Sequence, residues 1–265
     1  MSASARLLRV PLLVELTHRS RFATAAAMGL LQVVLSYFLW HALYAHTTTS
    51  AGLTVDQAVS YATLAVLVSR IRWGARIFSR DSMWSLVNDG RIVYWFLRPI
   101  SPRRYYLTRA LGEIGYWGSW SAIGLVVALV TGLVVPPASV GVAVVFVVSL
   151  VLGALIEYQL LLAVDLLCFW LIANNNARRV YHFAADFLSG AFVPLWYLPP
   201  GFVAVATWLP FQSTVNVPLS FYVGRLPVSG AAGPIAVQVG WFVVLWVGTR
   251  FMWRGAERRV AVQGG

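Results

Sequence analysis

The chain has 265 residues, 59% hydrophobic and 11% charged, where an ordinary soluble domain carries about 25% charge. That leaves too little polar material to face water on all sides, and a mean hydropathy of +0.73 excludes disorder, collagen and a coiled coil, so the chain reads as a polytopic membrane protein. The net charge is +11 and all 20 basic residues are arginine, set in blocks between long apolar runs, a pattern that carries topology and not nucleic-acid binding.

With no lysine the chain can form neither a phosphate-binding P-loop nor a Schiff base, so any nucleotide hydrolysis belongs to another polypeptide. Cys168 is the single cysteine, which excludes an internal disulfide, and its LLCFW surroundings read as packed helix.

Residues 1–21 place Leu8, Leu12, Leu13 and Leu16 at helical spacing among Arg6, Arg9, Arg19 and Arg21. This predicts an uncleaved helix lying in the inner interface, with a disordered basic tail as the alternative. Residues 22–55 are free of charge and exceed the roughly 20 residues that cross a hydrocarbon core, which gives span 1 over 22–45 and an outer loop, HTTTSAG, over 46–52. Span 2 is expected over 53–71, with Asp56 at the outer rim and Arg70 and Arg72 snorkelling to the inner headgroups. Residues 114–156 are again uncharged, and Pro136 and Pro137 divide them into a hairpin. Span 3 ends near 133; span 4 starts near 140 and stays apolar to about 172 apart from Glu157 and Asp165.

Asn174, Asn175, Asn176, Arg178 and Arg179 predict a short polar turn before span 5 at 180–197. Residues 194–234 are rich in proline, with apolar pieces too short to span, so re-entrant helices on the outer side are expected there. Span 6 covers 233–251 and is followed by Arg254, Arg258 and Arg259. In this arrangement every arginine except Arg225 falls on one side, which puts both termini in the cytosol by the positive-inside rule. The expected fold is an all-α membrane protein, one transmembrane domain over 1–265 with six spans.

The longest cytoplasmic excursion, 70–109, has Trp84, Val87, Val93, Phe96 and Leu97 at spacings of three or four, with Asp81, Asp89, Arg91 and Arg98 between them. An amphipathic helix is predicted, turned at Asp89-Gly90 and stopped by Pro99 and Pro102. Such a helix either rests on lipid phosphates or docks a soluble partner.

Two stretches carry a family likeness. In DGRIVYWFLRPISPRRYYLTR, residues 89–109, the matching positions are Gly90, Pro99, Ile100 and Ser101. In FLSGAFVPLWYLPPGFVAVATWLPF, residues 187–211, they are Ser189, Gly190, Pro194 and Pro199, then Pro210 and Phe211. Together, in order and on six spans, they resemble the ABC-2 type permease family over essentially the whole chain. Asp89 departs from the polar residue the family often has before the glycine.

The resemblance implies a non-catalytic permease subunit of an ABC exporter that moves an amphipathic or lipid-like substrate outward. It implies a coupling helix (Trp84, Asp89, Gly90, Arg91, Phe96, Arg98 and Pro99) that fits a groove on an ATPase subunit. It also implies a re-entrant outer lid or gate at Ser189, Gly190, Pro194, Pro199, Pro200, Pro210 and Phe211. Two ATPase subunits hold the ATP and Mg, this chain holds no cofactor, and a second permease, identical or paralogous, completes the pair. The expected setting is the lipid of a bacterial plasma membrane, with no nucleic acid involved.

Glu157, Asp165 and Asp186 are expected at membrane depth, where an unpartnered charge is costly; they either line a substrate path or pair with Arg109, Arg178 or Arg179. His18, His41, His46 and His182 are scattered, so no metal site is expected. Gly112, Gly115, Gly118 and Ser119 give span 3 a small face for close packing, within the chain or against a second copy. The alternatives to transport are an intramembrane lipid-modifying enzyme, for which no acid–base spacing stands out, and a passive channel or scaffold.

Overall fold

Local capping signals set the helix ends. The computed structural model describes residues 19–47, 49, 52–75, 83–92, 94, 101–171 and 174–263; the predicted interfacial helix lies almost wholly outside them. The helices are α1 (Arg19–Leu43), α2 (Val55–Ala75), α3 (Met83–Asn88), α4 (Pro102–Val130), α5 (Val140–Leu166), α6 (Asn174–Leu188), α7 (Pro200–Trp208), α8 (Asn216–Tyr222) and α9 (Ala232–Gln263). No strand occurs among the described residues.

Helix α2 opens with a capping box: Thr54 N–H donates to Gln57 Oε1 at 2.9 Å, and Gln57 N–H to Thr54 Oγ1 at 3.4 Å. Pro102 occupies the first turn of α4, where its missing N–H costs nothing. Ser139 Oγ accepts from Val142 N–H at 3.2 Å at the start of α5. Helix α6 closes in a Schellman motif, with Gly190 N–H bonded to Phe187 O and Ala191 N–H to Asp186 O.

Among the described residues, four helices are long and apolar enough to cross a membrane, at 26–43, 102–130, 140–169 and 232–259. The two remaining spans expected from the sequence fall short for different reasons. Helix α2 has 21 residues but buries Ser60, Thr63 and Arg72. It packs against α1, α4 and α5, so it is the bundle's central helix, and its polar groups face protein instead of lipid. Helix α6 has 15 residues, about 22 Å at 1.5 Å per residue, short of the roughly 30 Å core. It covers 174–188 where the sequence predicts 180–197, because the polar run that reads as a turn is its first turn and Gly190 ends it.

Of the amphipathic helix expected up to Leu97, the described part is Met83–Asn88, with the expected turn at Asp89-Gly90 after it; Phe96, Leu97, Arg98 and Pro99 lie outside the described residues. Helix α9 runs 12 residues past the expected end at 251, to Gln263.

Lipid tails are as apolar as leucine, so close packing and polar contacts hold the helices together. Ser121 Oγ of α4 donates to Leu67 O of α2 at 2.9 Å. Nearby, a Cβ on Gly124 would lie 2.7 Å from Leu67 Cδ2. Helices α5 and α9 are joined by Ser149 Oγ donating to Gln238 Oε1 at 3.0 Å and Thr249 Oγ1 to Gln159 Oε1 at 2.8 Å. A Cβ on Gly115 or Gly118 would meet nothing within 4 Å, so the close approach within the chain falls at Gly124, one to two turns beyond the expected small face. Outward surfaces of α1, α4, α5 and α9 are studded with exposed leucine, valine and phenylalanine.

A Cβ on Gly153 would lie 2.8 Å from Ser213 O and 3.1 Å from Thr214 Cα, rigid backbone of the 3₁₀ turn Pro210–Thr214. Gly153→Ala is expected to destabilise the detergent-solubilised chain by about 1–3 kcal/mol in thermal unfolding. Gly118→Ala is expected to change it by under about 0.5 kcal/mol.

Candidate functional site

A buried ion cluster joins three helices. Arg72 Nη2 of α2 lies 3.2 Å from Glu157 Oε2 of α5, and Arg72 Nη1 lies 3.2 Å from Asp186 Oδ1 of α6. Arg72 Nη1 also donates to Ser189 Oγ at 3.0 Å. The arginine and glutamate side chains are 1% and 0% exposed, and Asp186 is 18% exposed. Burying any of these ions alone would cost far more than the pairing returns, so the three stand or fall together.

The sequence leaves these carboxylates to line a substrate path or to pair with Arg109, Arg178 or Arg179, and sends Arg72 to the headgroups; the structure turns Arg72 inward to Glu157 and Asp186. The cause is helical phase. Tyr61, Leu64, Val68 and Arg72 follow one another at three- and four-residue spacing on the buried face of α2, whereas Arg70 points elsewhere. Arg70 lines an apolar groove of about 290 Å³ between α1, α2 and α4, against Gly29. That phase is the sequence signal that identifies Arg72. Arg109 pairs with Glu113 in its own helix at 3.3 Å. Asp165 is buried on the same stretch of α5, near Tyr158.

Ser189 and Gly190 form a buried junction beside the cluster. Tyr61 Oη donates to Gly190 O at 3.0 Å and to Asn216 Oδ1 at 3.3 Å, and Asn216 N–H donates to Ser189 O at 3.0 Å. Gly190 has φ +80°, and a Cβ there would lie 2.9 Å from Tyr61 Oη, so both conformation and space require glycine. From this junction the chain runs through short pieces: the 3₁₀ turn Leu195–Tyr197 after buried Pro194, α7 with Pro199 and Pro200 at its start, and the Pro210–Thr214 turn, where Phe211 sits beside the Tyr181 ring at 6.1 Å.

At the opposite, arginine-rich end, Met83, Leu86 and Ile92 are buried against Tyr106 and Ala110 of α4, Tyr158, Leu162 and Leu166 of α5, and Trp253 and Ala256 of α9. Trp84 and Val87 are partly buried against the same cluster, so Trp84 faces the chain's own core. Gly90 turns the chain at φ +69°, and Ile92 N–H returns to Leu86 O at 2.9 Å. Asp89, Gly90, Arg91 and Tyr94 remain exposed; Arg91 Nη2 meets Asp89 Oδ2 at 2.7 Å, and Tyr94 is 66% exposed. An ion pair this exposed adds little to stability.

No group of three or more His, Cys, Asp or Glu among the described residues is placed to hold a metal ion. The family model described as "ABC-2 family transporter protein" matches residues 30–264. The chain belongs to the ABC-2 transporter family. Comparison with curated proteins gives no match. An ABC-2 chain is a membrane transport subunit, not itself catalytic, and the family normally works with an ATPase subunit. The match covers the ion cluster, the Ser189–Gly190 junction and the 83–94 segment.

Removing the Arg72 guanidinium leaves two carboxylates without the cation that bridges them. Arg72→Met is expected to cost about 3–5 kcal/mol, read as a lowered unfolding temperature in detergent. The pair Arg72→Met with Glu157→Met is expected to recover part of that loss, because Asp186 alone keeps some access to water.

Proposed function

We propose that this chain is the permease subunit of an ABC exporter, moving an amphipathic or lipid-like substrate outward with energy from a separate ATPase. In this reading the whole chain is one transmembrane domain. It crosses a bacterial plasma membrane six times, with α2 as the second crossing and α6 together with residues 189–197 as the fifth, and with both termini in the cytosol. Two ATPase subunits, carrying ATP and Mg, and a second permease, identical or paralogous, complete the transporter.

One observation carries the proposal: the 83–94 segment is wedged by Met83, Leu86 and Ile92 among the ends of α4, α5 and α9, while Asp89, Gly90, Arg91 and Tyr94 face outward. A soluble motor that grips this turn moves three long helices at once. Helix α5 carries the push to Glu157 and through Arg72 to the Ser189–Gly190 junction, from which the 191–231 segment hangs. Short proline-bounded pieces at that end can shift at low cost and act as the gate (Ser189, Gly190, Pro194, Pro199, Pro200, Pro210 and Phe211). Phe96, Arg98 and Pro99 extend the coupling surface in this account, and Trp84 holds it in place from behind. Glu157 and Asp186 act as structural ions that border the moving parts, and Asp165 lies on the same helix nearer the coupling end.

The test is reconstitution in liposomes with the ATPase encoded beside it. Arg91→Glu combined with Tyr94→Ala is expected to lower permease-stimulated hydrolysis by about tenfold, equivalent to about 1.4 kcal/mol of coupling, while the chain's own unfolding temperature stays the same. Unchanged stimulation would remove the coupling role from this turn.

A further inference from the structure

Helix α9 carries a basic stripe where it leaves the hydrocarbon. Its first residue is Ala232, and about 20 residues rise roughly 30 Å, the thickness of a bilayer core, so the core ends near Phe251. Arg250, Arg254 and Arg258 follow one another at four-residue spacing, which sets them on one side of the helix, about 6 Å apart along its axis. Burial fixes which side that is. Thr249, Trp253 and Ala256 are buried, and Trp253 and Ala256 join the cluster around Tyr106 and Leu166, which holds the opposite face of the helix. The three arginines are exposed. Val243, Val247 and Phe251 are exposed on the same side, so the outward face is apolar to the edge of the core and basic beyond it.

The fourth arginine of this stretch is engaged within the chain: Arg259 Nη1 donates to Phe169 O at 3.1 Å, and its guanidinium lies 5.7 Å from the Trp170 ring. Arg250 and Arg254 rest on rings of their own face, 5.5 Å from Trp246 and 5.8 Å from Phe251. A guanidinium stacked on an aromatic face keeps its N–H fork available at the edge, and tryptophan at this depth anchors a helix at headgroup level. Glu257 is the single acid of α9, so residues 250–259 carry four arginines against one carboxylate.

We propose that the face formed by Arg250, Arg254 and Arg258 binds the phosphate groups of anionic phospholipids at the membrane surface, with their acyl chains along Val243, Val247 and Phe251. Continuity decides the occupant. The arginines prolong a face that is already apolar and outward, and a phosphodiester with an alkyl tail meets both halves of it, whereas a soluble protein meets the basic half alone. Arg250 stands at the inner edge of a headgroup layer about 5–7 Å deep, and Arg254 stands within that layer. Arg258 lies beyond it, but by less than the roughly 8 Å over which salt screens surface charge. Planar guanidinium forks match phosphate oxygens, and each basic residue near an anionic leaflet strengthens binding about fivefold. That this surface is the cytoplasmic leaflet rests on the topology proposed above; headgroup binding does not.

The experiment is native mass spectrometry of the purified full chain in a neutral detergent, without ATPase or nucleotide. The chain is given equal amounts of dioleoyl phosphatidylglycerol and dioleoyl phosphatidylcholine, which share their tails and differ in headgroup charge. The unsubstituted chain is expected to retain phosphatidylglycerol in preference by at least about tenfold. Arg250→Gln, Arg254→Gln and Arg258→Gln together are expected to reduce that preference at least about fivefold, and Arg254→Gln alone about threefold. The corresponding triple lysine variant keeps the charge and is expected to stay within about twofold of the unsubstituted chain. Arg104→Gln, at an exposed arginine of α4, is expected to leave the preference unchanged. Absence of any preference for phosphatidylglycerol overturns the proposal, as does a preference that survives both glutamine variants or falls equally in Arg104→Gln. A triple glutamine variant that keeps its lipid preference but no longer stimulates an added ATPase assigns the stripe to a protein partner and likewise overturns it. Because the lipid readout needs no ATPase, its failure leaves the exporter reading standing, and failure of stimulated hydrolysis at the 83–94 turn leaves the lipid result standing.

Discussion

A guanidinium held between two carboxylates, away from water, is the constraint on which the rest of this structure depends. Arg72 can be buried only where Glu157 and Asp186 meet it, and Glu157 can be buried only where Arg72 arrives. The three residues come from α2, α5 and α6, so the requirement fixes the relative rotation and depth of three helices that otherwise have mostly non-directional contacts. Apolar side chains in a bilayer gain little by facing one another instead of lipid, and a charged cluster distinguishes one arrangement from its neighbours. The same guanidinium bonds Ser189, which carries the constraint one step further, to the place where α6 stops and the irregular segment begins.

Most of the frame is written in the sequence, and the parts that are not have a common cause. Long uncharged runs mark α1, α4, α5 and α9 because these helices face lipid, and hydropathy reads the preference of a side chain for lipid. Helix α2 faces protein, so its polar residues are met by partners that hydropathy does not register, and α6 is short, with a polar first turn. Hence the span at 180–197 is misplaced: Asn174 to Arg179 read as a turn when taken alone, yet they begin the helix. The Ser189-Gly190 pair is legible as a motif, while its burial is not. Tertiary contact with Tyr61 is what gives Gly190 its reason.

The candidate site residues were legible in type more than in partnership. Glu157 and Asp186 stand out as acids in apolar surroundings, and the need for a cation follows from electrostatics. That Arg72 joins them depends on helical phase, which a composition window averages away. Trp84 reads as part of an outward stripe because periodicity gives a face and not its direction; in the fold that face turns to Tyr106 and Trp253. Arg225 is conspicuous only through the charge census, and the ring it lies over, Trp196, is 29 residues away along the chain.

Two chemically different ends follow from this architecture: an arginine-rich turn wedged into three helices, and a proline-bounded segment of short helices and turns. The account requires that a membrane separates them. Cysteine labelling in intact cells tests this most directly, with Asp89→Cys and Ser229→Cys introduced singly into a Cys168→Ala background and treated with a membrane-impermeant maleimide. The account predicts that position 229 reacts in intact cells and position 89 reacts only after permeabilisation; reaction of position 89 in intact cells would contradict it.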